Sequence, residues 1–190
     1  MKFPGQHLQR RSARGCRENP MPANRLIIGL TVIAMAALAW TTFRTPSVRI
    51  VYNASVSMPT GWYLISPAES VAPADAVLVR LPQAVAELAA ARHYLPANVP
   101  LIKRAFATSP SRVCIRARQV IVDGREVARW QPHDRAGRAL PRWNGCRALA
   151  KNEIWLLNPD HPDSFDSRYF GPLRLDAVLG IAQPVRLDRG

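Results

Sequence analysis

Eighteen consecutive residues from Leu26 to Phe43, LIIGLTVIAMAALAWTTF, carry no charge. At ~1.5 Å rise per residue such a run makes a helix of about 27 Å, close to the hydrocarbon thickness of a thin bilayer. Six basic residues (Lys2, Arg10, Arg11, Arg14, Arg17 and Arg25) and one acid, Glu18, precede it, a local charge of +5. The positive-inside rule then keeps the N-terminus cytoplasmic and exports the remainder of the chain. A buried core helix would show a polar face, and this run offers only threonines. A cleavable signal has a shorter apolar stretch followed by small residues, whereas here Trp40 and Phe43 lead into Arg44 and Pro46. The expectation is a basic cytoplasmic segment over 1–25 and an uncleaved transmembrane anchor over 26–43. A domain over 44–190 then faces the periplasm of a bacterial inner membrane.

The formal net charge of the 190 residues is +13, which by itself suggests a nucleic acid or an anionic surface as partner. Beyond the first 25 residues, however, the charge comes from 20 basic and 12 acidic residues without a dense basic run. Neither zinc-finger spacing nor an aromatic RNA-binding signature accompanies it, so nucleic acid is not an expected partner. Topology also sorts the three cysteines. Cys16 falls on the cytoplasmic side, and Cys114 and Cys146 fall in the exported domain, where an oxidising compartment would let them join. Two separate buried thiols are the plain alternative.

Past the anchor the chain reads as mainly β. Ser47–Tyr52 is an extended, partly apolar strand, and 53–61 (NASVSMPTG) is a loop punctuated by Pro and Gly. Asp75–Leu81 alternates like a half-buried strand, and Val99–Ala107 returns to strand character. Alanine-rich Gln83–His93 is the one short helix expected outside the membrane. Val120–Val122, Asp123-Gly124 and Arg125–Ala128 form a hairpin signal, since Asp-Gly suits the positive φ angles of a type I′ turn. Residues 129–150 read as a long connection pinned by Cys146, and Glu153–Leu157 and Val178–Leu187 supply two further strands.

Histidine chemistry finds no support. HExxH, a Cys/His zinc cluster and a GxSxG elbow are all absent from the sequence, so no metal or other cofactor is expected. His93, His133 and His161 read as surface-loop residues. Two other segments carry more information. Ser55-Val56-Ser57-Met58-Pro59 begins twelve residues beyond Phe43, so its loop could lie near the outer membrane boundary. Leu101-Ile102-Lys103-Arg104-Ala105 puts a lysine in an otherwise apolar strand. Adjacent strand residues point to opposite faces, so Lys103 or Arg104 faces the more buried side. A solvated Lys103 on an outer face is the plainer reading, because lysine is rarely buried.

Together these segments resemble the type I signal peptidase family of Ser–Lys serine proteases. Ser55–Pro59 is similar to its S-x-S-M-x-P box, and Ile102–Ala105 to its KR box. Asp163-Ser164-Phe165-Asp166-Ser167-Arg168-Tyr169-Phe170-Gly171-Pro172 is similar to its S-x-D-S-R-Y-x-G box. The resemblance extends over roughly residues 24–187. It is closest to the TraF-type conjugative-transfer branch, through the single anchor, the compact size, the Ser57–Tyr63 segment and the paired cysteines. One departure lies beyond Arg104, where Ala107–Ser111 replaces a Gly-Asp turn.

The resemblance implies a signal-peptidase-like β-rich catalytic domain, with Ser57 as nucleophile and Lys103 as general base. It assigns the oxyanion hole to the Ser57 N–H and the Ser55 hydroxyl, and makes Ser164 the residue that orients Lys103. Asp166, paired with Arg104 or Arg168, would hold distant segments together. A base must be neutral near pH 7, so Lys103 needs burial and a cationic neighbour such as Arg104 or Arg168 to lower its pKa. The implied partners are membrane lipid and precursor proteins, pilin or signal-peptide-bearing, in a conjugation or type IV secretion system. Some members also close pilin into a ring. A housekeeping signal peptidase and a non-catalytic tethered assembly factor are the alternatives, and the intact Ser57 and Lys103 speak against the latter.

Overall fold

The computed structural model describes residues 23–43 and 50–188, with side chains over 24–40 and 50–188. Cys16 and most of the basic segment over 1–25 lie outside the described residues. The chain divides into two units, Met1–Ser47 and Val48–Gly190. The first contains helix α1, Ala23–Phe43, whose 21 residues would span about 31 Å. Its large apolar side chains, Leu26, Ile28, Leu30, Ile33 and Leu38 among them, are exposed. Among the described residues no helix is long and apolar enough to cross a membrane, the described side chains of α1 running only to Trp40.

The second unit is built on two antiparallel sheets. The larger contains β1 (Ile50–Asn53), β2 (Gly61–Ser66), β3 (Ala76–Val79), β4 (Leu101–Thr108), β9 (Glu153–Leu156), β10 (Leu173–Arg174) and β11 (Val178–Leu187). Its order is β1-β2-β11-β3-β4-β9-β10. The smaller contains β5 (Arg112–Arg116), β6 (Gln119–Val122), β7 (Arg125–Arg129) and β8 (Cys146–Ala148), in the order β7-β6-β5-β8.

Period-2 patterning is clear in β2 and β6, whereas β3, β5 and β9 bury three successive residues each. In β2, Tyr63 and Ile65 turn inward while Trp62 and Leu64 are exposed. Strand β4 lies between β3 and β9 and is covered on both faces, so Leu101, Ile102 and Lys103 are all buried. Leu101 and Ala105 pack with Val77, Val79 and Leu156, whereas Ile102 packs on the other side with Met58, Tyr63 and Leu78. A second core under the smaller sheet gathers Val113, Ile115, Val120, Val122, Trp155 and Leu157. Gly61 closes the β1–β2 hairpin at φ +137, where a Cβ would stand 2.2 Å from the Arg186 carbonyl oxygen. No other residue fits there without moving backbone.

The Asp-Gly hairpin is present, with Val122 opposite Arg125 and positive φ at both Asp123 and Gly124. Helix α2 occupies Gln83–Ala91, ending two residues before the expected His93. It is not alone in this unit, because Ser167–Phe170 forms a second short helix, α3, and Leu175–Ala177 a 3₁₀ turn. The stretch 129–150 is not all connection, since it ends in β8. A tight turn with a Ser111 N–H to Thr108 carbonyl bond, 2.9 Å, takes the place of the family's Gly-Asp turn.

Cys114 and Cys146 are joined by a disulfide, because β5 and β8 pair with these two residues directly opposite. The bond closes a loop with a sequence separation of 32, worth about 3–4 kcal/mol in the chain-entropy model. A Cys114→Ser/Cys146→Ser variant is therefore expected to unfold at lower urea, by up to that amount. Unreduced protein in intact cells should leave both thiols unlabelled by a maleimide. An equally stable variant, or ready labelling of Cys114 without reductant, would contradict this.

Candidate active site

Three segments distant in sequence meet at one end of a cleft of about 360 Å³. The first is the β1–β2 hairpin loop, 54–60. Asn53, buried at the end of β1, accepts the Ser55 N–H at 3.1 Å and reaches the carbonyls of Ser55, Met58 and Pro59 at 2.9–3.1 Å. Met58 drops into the core between Tyr63 and Ile102 and pulls the loop inward. Ser57 is consequently buried although it lies in a loop, and Val56 beside it is exposed.

The second segment is β4. Lys103 shares a face with Leu101 and Ala105, and the residue is only 2% exposed. Its Nζ donates to Ser57 Oγ and, at 2.7 Å, to Ser164 Oγ. The third segment is 158–168, directly after β9. Ser164 is buried there, as are Asp166 and Arg168. Asp166 caps α3 and forms a two-pronged ion pair with the Arg168 guanidinium, 2.8 and 2.9 Å. Arg168 also donates to the carbonyls of Ser164, His161 and Arg129 at 2.9–3.1 Å.

Electrostatics are set by this layout. Burial pushes the Lys103 amine down from its ordinary value to about 8. The Asp166 carboxylate opposes that shift and the Arg168 guanidinium assists it. Asp166 spends its hydrogen-bonding capacity on Arg168, on helix α3 and on the Asn158 N–H, so no carboxylate bonds Lys103 directly. Ser164 Oγ accepts a hydrogen bond from the amine and leaves Nζ aimed at Ser57. An uncharged amine so placed can accept the Ser57 proton.

The Ser55 hydroxyl lies 2.8 Å from Ser57 Oγ, and the Ser57 N–H points at it from 3.4 Å. The two donors expected for an oxyanion thus converge, each satisfied by the other residue in the free protein.

The structure brings together Ser55, Ser57, Lys103, Ser164, Asp166 and Arg168. It does not bring in Arg104, which is half-buried, points away from Lys103 along the strand and engages the Leu157 N–H through its carbonyl at 3.2 Å. Two open alternatives are decided here, both in favour of Arg168. Asp166 pairs with Arg168 and not Arg104; the ion pair is local, and it reaches other segments through the Arg129 carbonyl and the Asn158 N–H. The lowered Lys103 pKa comes first from burial, with Arg168 as the contributing cation. His133 and His161 are exposed but line the cleft. Among the described residues no group of His, Cys, Asp and Glu could hold a metal.

Sequence patterns did not single out two asparagines that the site uses. Asn158 donates through Nδ2 to the Ser57 carbonyl, and Asn53 braces the same loop. Both stand where a strand ends, and Asn158-Pro159 reads locally as an ordinary turn. A polar residue closing the apolar run 154–157 was the available signal for Asn158.

Comparison with known proteins finds relatives over most of the chain. The family model described as signal peptidase, peptidase S26, matches residues 23–186. A probable conjugal transfer protein TraF from Sinorhizobium fredii is 31% identical over 173 residues, 84% of this chain and 88% of its own length. A plasmid transfer protein TraF from Escherichia coli is 32% identical over 143 residues, 70% of this chain and 80% of its own. A conjugal transfer protein TraF from Agrobacterium fabrum is 33% identical over the same shares. With its three boxes gathered at one cleft and these likenesses along most of its length, the chain belongs to the signal peptidase family, peptidase S26, and is TraF-like within it.

Proposed function

We propose that the protein is a membrane-anchored serine endopeptidase that processes exported or pilin precursors for conjugative transfer, with Ser57 as nucleophile and Lys103 as general base. The observation that carries this is the buried Lys103 amine, held against Ser57 Oγ by Ser164 and free of any directly bonded carboxylate. Lys103 takes the Ser57 proton as Oγ attacks the scissile carbonyl carbon. The Ser57 N–H and the Ser55 hydroxyl, released from each other, receive the oxyanion. The Lys103 ammonium then gives its proton to the departing amine, leaving an acyl-enzyme. Water completes hydrolysis, and a substrate's own N-terminal amine attacking instead would close a ring.

The uncharged run over 26–43, preceded by basic residues, supports an inner-membrane anchor with the N-terminus cytoplasmic and the catalytic domain periplasmic. The TraF names of the relatives support a conjugative role. Mass spectrometry of a candidate pilin co-expressed with the wild type or with Ser57→Ala tests the whole reading. Processing only with the wild type is expected, and identical pilin masses in the two strains would refute it.

The pH dependence has a definite sign. Below about 8 Lys103 is an ammonium and cannot accept a proton. The kcat/KM for a precursor peptide should therefore rise with pH and level off above that value. It should survive chelators and a His93→Ala/His133→Ala/His161→Ala change. A profile that falls between pH 7 and 9 would exclude a lysine base.

A further inference from the structure

We infer that Asn158 is a positioning residue that ties the nucleophile loop to the strand pair carrying the base. This rests on the reading of Ser57 as nucleophile and extends it. Loop 54–60 has little ladder of its own, its one internal backbone bond being a 3.4 Å contact from the Met58 N–H to the Ser55 carbonyl. Asn53 braces the two ends of the loop but does not hold the Ser57 carbonyl. Asn158 does so from a segment 101 residues away in sequence.

Its own position is rigidly set. Asn158 stands just past β9, whose Leu156 pairs with Ala105 of β4, and the Leu157 N–H bonds the Arg104 carbonyl at 3.2 Å. The Asn158 N–H is received by the buried Asp166 carboxylate at 3.4 Å. One side chain therefore refers the Ser57 main chain to the same β4–β9 pair that carries Lys103. Holding the Ser57 carbonyl limits rotation about the residue, which sets its Oγ toward Lys103 and its N–H toward the oxyanion site together. Precise placement of this kind governs rate far more than binding.

A second observation argues against a merely packing role. Asn158 is 4% exposed, and its Oδ1 is buried without a hydrogen-bond partner among the described residues. Burying an orphan amide oxygen is unfavourable, and a leucine of similar size would fill the space without that cost. The donor on the other end of the amide is what the site gains.

The test uses the full chain in detergent with an activated ester of a short peptide acid, which acylates an activated serine without needing a natural precursor. Intact mass and a Ser57→Ala control locate the acyl group. The burst amplitude counts competent sites, and the burst rate reports the chemistry at each. Asn158→Leu should acylate about 10–100-fold more slowly per site with the amplitude retained. Asn158→Asp should be similarly slow and have its pH limb moved upward, because an anion beside Ser57 favours the Lys103 ammonium. A rate per site in Asn158→Leu within twofold of the wild type would overturn the assignment, whatever happens to the amplitude. If the wild type itself forms no adduct on Ser57, the nucleophile reading falls, and this inference with it. Failure to process pilin in cells would leave this inference standing.

Discussion

Ser57→Ala and Lys103→Met are each expected to lower precursor cleavage by about 10⁴-fold or more, and the double variant by no more than either alone, since the two groups act as a unit. Their stabilities should not fall in parallel. Wild-type Lys103 is charged at pH 7 and buried, and its pKa of about 8 against an ordinary 10.5 means the fold bears a cost of about 3 kcal/mol there. The sign is fixed by proton counts. Between these two values the unfolded chain binds more protons than the folded one, so stability rises with pH through that window. Lys103→Met removes the charge and loses the bonds to Ser57 and Ser164, so its urea midpoint at pH 7 should be at or above that of the wild type. A dead variant that is also markedly less stable would point to misfolding instead of lost chemistry. A well-expressed Lys103→Met enzyme with normal turnover would end the dyad assignment.

Asp166→Asn should produce the largest loss of stability of any single conservative change at the site. Asp166 is fully buried and Arg168 is 1% exposed, and removing one partner leaves the other charge without compensation in a water-poor interior. Breaking such a pair costs about 3–5 kcal/mol, a large share of the ~5–15 kcal/mol that holds an ordinary domain folded. Asp166 also caps α3 and receives the Asn158 N–H, so the loss extends into both neighbours. Urea unfolding should show the midpoint falling with the slope retained. In whatever fraction stays folded, Lys103 should titrate lower than in the wild type, because Asp166 raises its pKa and Arg168 then acts unopposed. The activity limb should therefore move toward acid, the reverse of the shift expected for Asn158→Asp. An Asp166→Asn protein as stable as the wild type would show that the ion pair contributes little beyond shape.

Much of this was legible in the chain because it is local. The apolar run over 26–43, the Asp123-Gly124 turn, the alanine-rich α2 and the strand pattern over Asp75–Leu81 are each set by neighbours within a few residues. The candidate site was legible too, since Ser57, Lys103 and Ser164 stand in short recognisable boxes whose order survives without any knowledge of the fold. Strands β2, β5, β8 and β10 were harder to read. β8 and β10 are three and two residues long, too short to show a period, and they exist because a partner strand offers its hydrogen bonds.

Tertiary structure decided what alternation could only narrow to two. Strand period 2 requires Lys103 and Arg104 to face opposite ways, but which of them is buried depends on β3, β9 and the helix-bearing side of the sheet closing over one face. By itself the lysine would have favoured water, and it is the Leu101–Ala105 face, packed into the core, that carries it inside. Asp166 had two arginines in prospect, and the turn into α3 selects Arg168 by placing it two residues away. Cys114 meets Cys146 because β5 and β8 are neighbours, not because of their spacing. Asn158 was out of reach for the same reason: its donor acquires meaning only when the carbonyl of a residue 101 positions earlier is brought against it. Residue types and boxes are properties of the sequence, whereas burial, and the pKa that burial sets, belong to the assembled sheets, since water is excluded only where separate segments close together.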